Sequence, residues 1–91
     1  MRECMDVEKV VARLKRIEGQ VRGLMSMVER DVPCEDILVQ ISAAKSALHK
    51  TGQVILEGHL SHCVLKGIAN GDAEGTLKRL SEAIDKFSKS I

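Results

Sequence analysis

The chain has 91 residues, a length that fits one domain with a modest core. Its 14 basic and 13 acidic residues nearly cancel, so the overall charge indicates no particular partner. No apolar run approaches the roughly 18 residues that a membrane-spanning helix needs, and the N-terminus has no apolar signal-peptide core. We therefore expect a cytoplasmic protein without a membrane partner. Phe87 is the only aromatic residue, so we expect the chain to complete its core by self-association.

Apolar residues predict two long helices, over about residues 6–30 and 34–65, separated by Pro33. In each segment they recur at spacings of 4, 3, 4, 3 and 4, which place them on one helical face. The second helix would be roughly 45 Å long, because each residue adds about 1.5 Å. The two faces comprise Val10, Leu14, Ile17, Val21, Leu24 and Val28 in the first helix, and Ile37, Ile41, Ala44, Leu48, Thr51 and Ile55 in the second.

A shorter third helix is predicted over about residues 73–89, after the turn-forming sequence Asn70-Gly71-Asp72. Asp72 or Thr76 would be its N-cap. Three amphipathic helices in one short chain predict an all-α fold, with residues 1–91 forming a single helical domain. The apolar face of the third helix comprises Leu77, Leu80, Ile84, Phe87 and Ile91.

Three cysteines, Cys4, Cys34 and Cys63, make a poor disulfide framework because their number is odd and they lie far apart. His59 and Cys63 are four residues apart, which places both on one face of the second helix. Such a pair can hold one metal ion, although the same spacing also arises by chance. Cys4 would lie in an N-terminal arm, and His62 would point about 100° away from Cys63, so neither is predicted to be a ligand.

Cys34 lies at the start of the second helix, 29 residues before Cys63. Along one straight helix that separation is roughly 44 Å, so the two thiols cannot meet within one chain. They can meet if a second copy packs antiparallel, so that Cys34 of one subunit faces His59 and Cys63 of the other. Two thiolates and one imidazole form a soft, three-coordinate set that favours Cu(I). The two cysteines could instead react with each other or with sulfur species.

Basic residues recur along one face of the first helix, where Lys9, Arg13 and Arg16 are spaced by four and three residues. Lys50 adds a positive charge on the second helix. Such a face is often merely solvated, but an oligomer would repeat it and could track the phosphates of DNA. The chain contains no helix-turn-helix pattern, which favours recognition of backbone and DNA shape as much as of bases.

Four segments carry a resemblance to the CsoR/RcnR family of metal-sensing repressors, and the match to that family spans nearly the whole chain. The arrangement of one Cys followed 25 residues later by His-x-x-x-Cys is typical of the copper-sensing branch of that family. The segments are Arg13-Leu14-Lys15-Arg16-Ile17-Glu18-Gly19-Gln20, Pro33-Cys34-Glu35-Asp36-Ile37-Leu38, Gln40-Ile41-Ser42-Ala43-Ala44 and Gly58-His59-Leu60-Ser61-His62-Cys63.

The resemblance implies a three-helix protomer that forms an antiparallel helical-bundle dimer, with two dimers assembling into a homotetramer. It implies a Cu(I) ion held between subunits by Cys34 from one and by His59 and Cys63 from the other. The metal-free tetramer would bind double-stranded operator DNA, and copper would release it. Arg13 and Lys50 match basic residues of the family's DNA-binding surface, and we expect Lys9 and Arg16 to face DNA beside them.

Two positions depart from the copper-sensing pattern. Copper-sensing members often have a tyrosine before the first Cys and a glutamate on the third helix, both of which support the ligating histidine. Here Pro33 and Arg79 take these positions, which puts the coupling between copper and DNA in question.

Two other functions stay open at this stage. A persulfide- or redox-sensing repressor would use Cys34 and Cys63 on the same scaffold, but members of that branch usually lack the histidine. A copper-buffering protein would bind the metal without binding DNA. A nickel or cobalt sensor is disfavoured, because that branch of the family has a histidine where this chain has Cys63. An enzyme is not expected, because no acid–base pair, phosphate-binding loop or nucleophile constellation is present beyond these thiols.

Overall fold

The computed structural model describes residues 5–89, which contain helices and no strand. Helix α1 spans Val7–Glu29 and helix α2 spans Cys34–Gly58. A π-helical segment, His59–Val64, and a short helix α3, Leu65–Ala69, continue the chain from α2. Helix α4 spans Ala73–Ser88. The predicted all-α fold class is confirmed for the described residues.

The chain divides into two compact units. The first unit is Val7–Gln53, which holds α1 and most of α2. The second unit holds the chain from Val54 onward, together with Met5 and Asp6. The prediction that residues 1–91 form a single domain stays a prediction.

In the first unit, α1 and α2 run antiparallel. Residues from the middle of α1 share a cavity with residues 47–51 of α2, whereas residues from its C-terminal end share one with Ile37 and Ile41. The connection between the helices is short: α1 ends at Glu29, Asp31 adopts a left-handed conformation with a φ of 58°, and α2 begins at Cys34. The N–H of Val32 donates to the carbonyl of Met27, which is the helix-ending hydrogen bond of a Schellman motif.

The apolar faces of α1 and α2 are only partly covered. Val10, Ile17 and Ala44 are buried, but Val28 and Leu38 are 63% and 64% exposed. No large side chain among the described residues is fully buried. Because exposing so much apolar surface is unfavourable, these helices present faces suited to further packing.

The second helix differs from its sequence prediction. We expected continuous α-helix to about residue 65, whereas α2 ends at Gly58 and the next six residues form π-helix. The hydroxyl of Ser61 donates to the carbonyl of Glu57 at 2.9 Å, at the junction between the two helix types. Side-chain bonds to a carbonyl one turn earlier compete with the regular backbone ladder and often bend helices.

Helices α3 and α4 form a tight corner in the second unit. A side chain at Gly67 would overlap that of Thr76, which is buried, so the two helices can approach only because residue 67 has no Cβ. Asp72 occupies the N-cap position of α4, as predicted, but its carboxylate does not cap the helix. It pairs instead with Arg79 at 3.1 Å.

No helix among residues 5–89 combines the length and apolar character that crossing a membrane requires.

Candidate metal-binding and nucleic-acid-binding sites

Cys34 is the first residue of α2 and is a free, exposed thiol. Pro33 precedes it, and the carbonyl of Pro33 accepts hydrogen bonds from the N–H groups of Asp36 and Ile37, at 3.0 and 3.2 Å. The helix therefore begins in a defined geometry that leaves the sulfur at the surface. A soft metal ion or a partner chain can reach the thiol at this position.

His59 and Cys63 both lie in the π-helical segment and are half-buried. Cys63 is disulfide-bonded, so its sulfur can become a thiolate ligand only after reduction. His62 lies between them in the chain and is exposed. Cys4 lies outside the described residues.

The π-helical turn affects how His59 and Cys63 align. In an α-helix, four residues advance about 400°, which is 40° beyond a full turn. A π-helix bonds each residue to the fifth one along, and its wider turn reduces that excess. The spacing of four residues therefore keeps His59 and Cys63 on one side of the helix in either geometry. Single π-turns inside helices are frequent at functional sites.

Residues 5–89 of one chain do not assemble a complete metal site of this type. Among residues 5–89, no group of three His, Cys, Asp or Glu side chains could hold a metal ion. The predicted set of Cys34, His59 and Cys63 is therefore not brought together by the described part of a single chain.

Three of the four predicted DNA-facing residues meet at one place. Arg13 and Arg16 on α1 and Lys50 on α2 border a cavity of about 150 Å³, which we call the basic cavity. Lys9, one turn before Arg13, does not line it. The other residues bordering the basic cavity include Gln20, Ala47 and Thr51.

The charges of the basic cavity are not neutralised within the described residues. Arg13, Arg16 and Lys50 are exposed and make no ion pair there, whereas Arg22 on α1 pairs with Glu18 at 3.1 Å. Three cations that share one concave surface without anions favour a negatively charged ligand. The geometry suits a phosphate group, which Arg can bind with two hydrogen bonds and Lys as a point charge.

The wall of the basic cavity also contains two neutral polar residues. Thr51 is only 2% exposed, and its hydroxyl donates to the carbonyl of Ala47 at 2.9 Å, so its proton is already used. Gln20 is half-buried, and its Oε1 atom has no hydrogen-bond partner. Sequence reasoning missed Gln20, although it lies four residues after Arg16 and thus continues the basic face of the helix.

Arg79 cannot support a ligating histidine as a glutamate at its position would. Its guanidinium donates to Asp72 at 3.1 Å and to the hydroxyl of Thr76 at 3.4 Å. A guanidinium has donors and no acceptor, so it cannot accept a hydrogen bond from an imidazole. In this chain, Arg79 instead contacts two residues at the start of α4.

The fold and these two groups of residues define a class of protein: a small helical protein that carries candidate soft metal ligands and a basic cavity. The chain belongs to the family described as metal-sensitive transcriptional repressors, whose family model matches residues 6–90. The predicted membership of a metal-sensing repressor family is thereby confirmed.

Relatives within this family include copper-sensing repressors. The chain is 48% identical to the copper-sensing transcriptional repressor CsoR of Bacillus subtilis, over 91% of this chain and 82% of the relative. It is also 48% identical to the copper-sensing transcriptional repressor RicR of Mycobacterium tuberculosis, over 86% of this chain and 83% of the relative. Both relatives are named as transcriptional repressors.

Solved structures of the same fold respond to different metals. The copper-sensing repressor CsoR with Cu(I) from Geobacillus thermodenitrificans NG80-2 has a TM-score of 0.88 and 51% identity, covering 91% of this chain and 86% of that one. The nickel-responsive regulator InrS has a TM-score of 0.80 and 39% identity, covering 90% and 92%. The fold alone therefore does not select the metal. The predicted ligand and DNA-facing residues stay predictions.

Proposed function

We propose that this chain is a copper(I)-responsive transcriptional repressor, which binds operator DNA when metal-free and is released when Cu(I) binds. The observation that carries the proposal is its 48% identity, over nearly its whole length, to repressors named as copper-sensing. Since a repressor acts where its operator DNA lies, we assign the protein to the cytoplasm. The chain acts by binding and not as an enzyme.

The copper site in this proposal lies between subunits. Cys34 of one subunit and His59 and Cys63 of another would hold the ion, which fits the finding that residues 5–89 of one chain gather no three-ligand group. Two thiolates and an imidazole suit Cu(I), whereas zinc prefers a fourth ligand. Bound Cu(I) would supply a soft Lewis acid that ties together helix ends from two subunits.

The required assembly is an antiparallel dimer, with two dimers forming a tetramer. A cavity of about 380 Å³ on the first unit is almost entirely apolar and supports this assembly, because such a surface favours burial. It is lined mainly by Val21, Leu24, Met25, Val28, Ile37 and Ile41.

Operator DNA would contact Lys9, Arg13, Arg16 and Lys50. The unpaired cations of the basic cavity support this assignment, since neutralising DNA phosphates releases counterions and drives binding. Release by copper requires that Cu(I) bind the DNA-free conformation more tightly than the DNA-bound one.

An anaerobic titration tests the proposal. Protein reduced with a non-thiol reductant is bound to a fluorescent duplex from its own upstream region, and Cu(I) is added while anisotropy is followed. We expect the DNA to be released near one Cu(I) per subunit. Protein that stays bound beyond that ratio would contradict copper sensing, and a chain that binds Cu(I) but no DNA would be a copper buffer.

A persulfide- or redox-sensing repressor that uses Cys34 and Cys63 is the second candidate. The sulfur of Cys63 is oxidised in a disulfide, and Cys34, which is not its partner there, is a free and exposed thiol. In that function two thiols form a disulfide, losing two electrons and two protons to an oxidant such as a polysulfide. His59 would then be dispensable. The DNA release of a His59→Ala variant separates the two functions: a copper sensor loses its response to Cu(I), whereas a sulfur sensor keeps its response to polysulfide.

A further inference from the structure

Cys63 has a second chemistry besides metal binding, because its sulfur is held in a disulfide. The chain contains three cysteines, Cys4, Cys34 and Cys63, and Cys34 is a free thiol. Within one chain, Cys4 is therefore the cysteine that remains to pair with Cys63. The proposed copper site uses Cys63 as a thiolate, so the disulfide and the metal need the same sulfur.

Residues next to these two cysteines share a cavity. It has a volume of about 420 Å³, lies in the second unit, and is bordered by Met5 and by Ser61 and His62 of the π-helical segment. Cys4 and Cys63 are the direct sequence neighbours of Met5 and His62. Consecutive Cα atoms are about 3.8 Å apart, and a disulfide needs two Cα atoms within about 7 Å. A bond between residues 4 and 63 is therefore within reach of the chain.

We propose that Cys4 and Cys63 form a reversible intrachain disulfide, a redox modification site that makes copper binding conditional on reduction. The inference rests on the proposed copper-sensing function, which needs Cys63 as a ligand. In the reducing cytoplasm, disulfides are usually transient and redox-sensing rather than structural. The oxidised chain keeps Cys34 and His59 but lacks the third ligand for Cu(I).

Formation of the bond needs an oxidant, for which we assign a low-molecular-weight disulfide, RSSR. One protein thiolate attacks RSSR, which forms a mixed disulfide and releases the first RS⁻. The second protein thiolate attacks the protein sulfur of that mixed disulfide and releases the second RS⁻. The two protein thiols lose two electrons and two protons in total, and RSSR becomes two molecules of RSH.

Copper and the oxidant compete for one sulfur. A thiolate bound to Cu(I) cannot attack RSSR, and a sulfur in a disulfide cannot bind the metal. Because coupling between two binding events is reciprocal, Cu(I)-loaded protein should resist oxidation. Oxidised protein should bind Cu(I) about 100-fold more weakly or worse, because it has lost a ligand.

Peptide mapping without reductant tests the bond. Full-length protein is equilibrated in a buffer of reduced and oxidised glutathione, free thiols are blocked, and a tryptic digest is analysed by mass spectrometry. Trypsin places the three cysteines in different peptides, residues 3–9, 31–45 and 51–66. We expect 3–9 and 51–66 to be joined, with the protein running as a single chain on a non-reducing denaturing gel. If 51–66 is instead joined to 31–45 or to a second copy of itself, the inference is wrong.

Copper binding is the second readout, measured by chelator competition after anaerobic removal of glutathione. Cys4→Ser should bind Cu(I) as reduced wild type does, and it should keep that affinity after the glutathione buffer, because Cys63 then has no second thiol in its chain within reach. Cys34→Ser is the control for the bond, and it should still join 3–9 to 51–66.

Two results would overturn the gating of copper binding. One is crosslinked wild-type protein that binds Cu(I) as tightly as reduced protein does. The other is Cys4→Ser protein that loses as much affinity in the glutathione buffer as wild type does. If reduced wild-type protein binds no Cu(I), the proposed copper-sensing function fails instead, and the peptide map still decides whether the bond forms.

Discussion

The two candidate sites of this molecule are built in different ways. The basic cavity gathers Arg13, Arg16 and Lys50 within one compact unit of a single chain. The predicted metal ligands are not gathered, because no three such side chains among residues 5–89 could hold an ion. The basic cavity is therefore formed within a single chain, whereas residues 5–89 of one chain leave the metal site incomplete.

The difference between a basic cavity formed by one chain and a metal site that needs a second chain suits a sensor. A DNA surface that needs no effector is active as soon as the protein folds, which gives repression by default. A metal site that needs two subunits senses their relative arrangement, so a metal that completes it favours one arrangement over others. A ligand shifts such an equilibrium only by its difference in affinity between the two states.

The largest expected effect comes from removing metal ligands. Changing a residue that merely supports a ligand commonly costs 10- to 100-fold in metal affinity, so Cys34→Ser, His59→Ala or Cys63→Ser should cost about 100-fold or more. DNA binding without metal should stay close to that of the wild type. Competition with a Cu(I) chelator measures the affinity of reduced protein, and anisotropy measures DNA binding.

His62→Ala is the matched control for these ligand variants, because His62 lies in the same π-helical segment but is exposed. It should bind Cu(I) as wild type does. Equal losses in His59→Ala and His62→Ala would show that the pair His59 and Cys63 is not the metal-binding pair. Without reductant, Cu(I) binding should be weak, because the Cys63 sulfur is held in a disulfide.

A smaller effect is expected in the basic cavity. Charge-assisted hydrogen bonds contribute about 1.5–3 kcal/mol, so Arg13→Gln and Arg16→Gln should each weaken operator binding about tenfold or more. The slope of log K against log salt concentration should fall by about 0.9 for each phosphate that the variant no longer neutralises. Cu(I) affinity of the metal-free, DNA-free protein should be unchanged.

Arg22→Gln is the control for the cavity arginines. Arg22 lies on α1 as they do, but its charge is paired with Glu18 and it does not line the basic cavity. Losses of the same size in Arg13→Gln and Arg22→Gln would mean that α1 contributes general charge rather than a phosphate site.

The helices were predictable and the details of the site were less so. Apolar spacing predicted helices over residues 6–30 and 73–89, and α1 and α4 span Val7–Glu29 and Ala73–Ser88. The spacing did not predict the π-helical segment, because α- and π-helix differ by one residue in backbone bonding and the apolar pattern fits both. It also gave Gln20 no role, since a polar residue on a basic face is usually solvated and only the packing of α1 against α2 buries its amide.

The positions of the charges were predictable for a simple reason. Arg13 and Arg16 lie on one helical face whatever that helix packs against, so their proximity follows from the chain alone. That Lys50 joins them requires α1 and α2 to be antiparallel, which the short link between the helices makes possible. Whether Cys34 meets His59 depends on another chain, and no pattern within one sequence fixes that geometry.

The smallest expected effect is on the stability of the fold, and it concerns the C-terminal ends of two helices, α1 in the first unit and α3 in the second. After α1 and after α3 the same backbone hydrogen-bond pattern recurs: Asp31 donates to Val28 at 3.2 Å, and Gly71 donates to Ile68 at 3.1 Å. Both residues have a positive φ, 58° for Asp31 and 86° for Gly71. Glycine adopts a positive φ without strain, whereas aspartate does so at a cost in conformational free energy. The backbone after α1 is therefore more strained than the backbone after α3.

Asp31→Gly should therefore stabilise the protein by up to about 1 kcal/mol, and Gly71→Ala should destabilise it by about 1–2 kcal/mol. The gain at residue 31 is limited because glycine also gives the unfolded chain more freedom. Urea unfolding at a fixed protein concentration measures both changes, since association shifts apparent stability. Neither variant touches the basic cavity or the metal ligands, so the salt dependence of DNA binding and the Cu(I) affinity should stay at wild-type values. A change in the salt slope of Asp31→Gly protein would mean that the link between α1 and α2 sets the geometry of the basic cavity, and that this site is less self-contained than its position within one unit indicates.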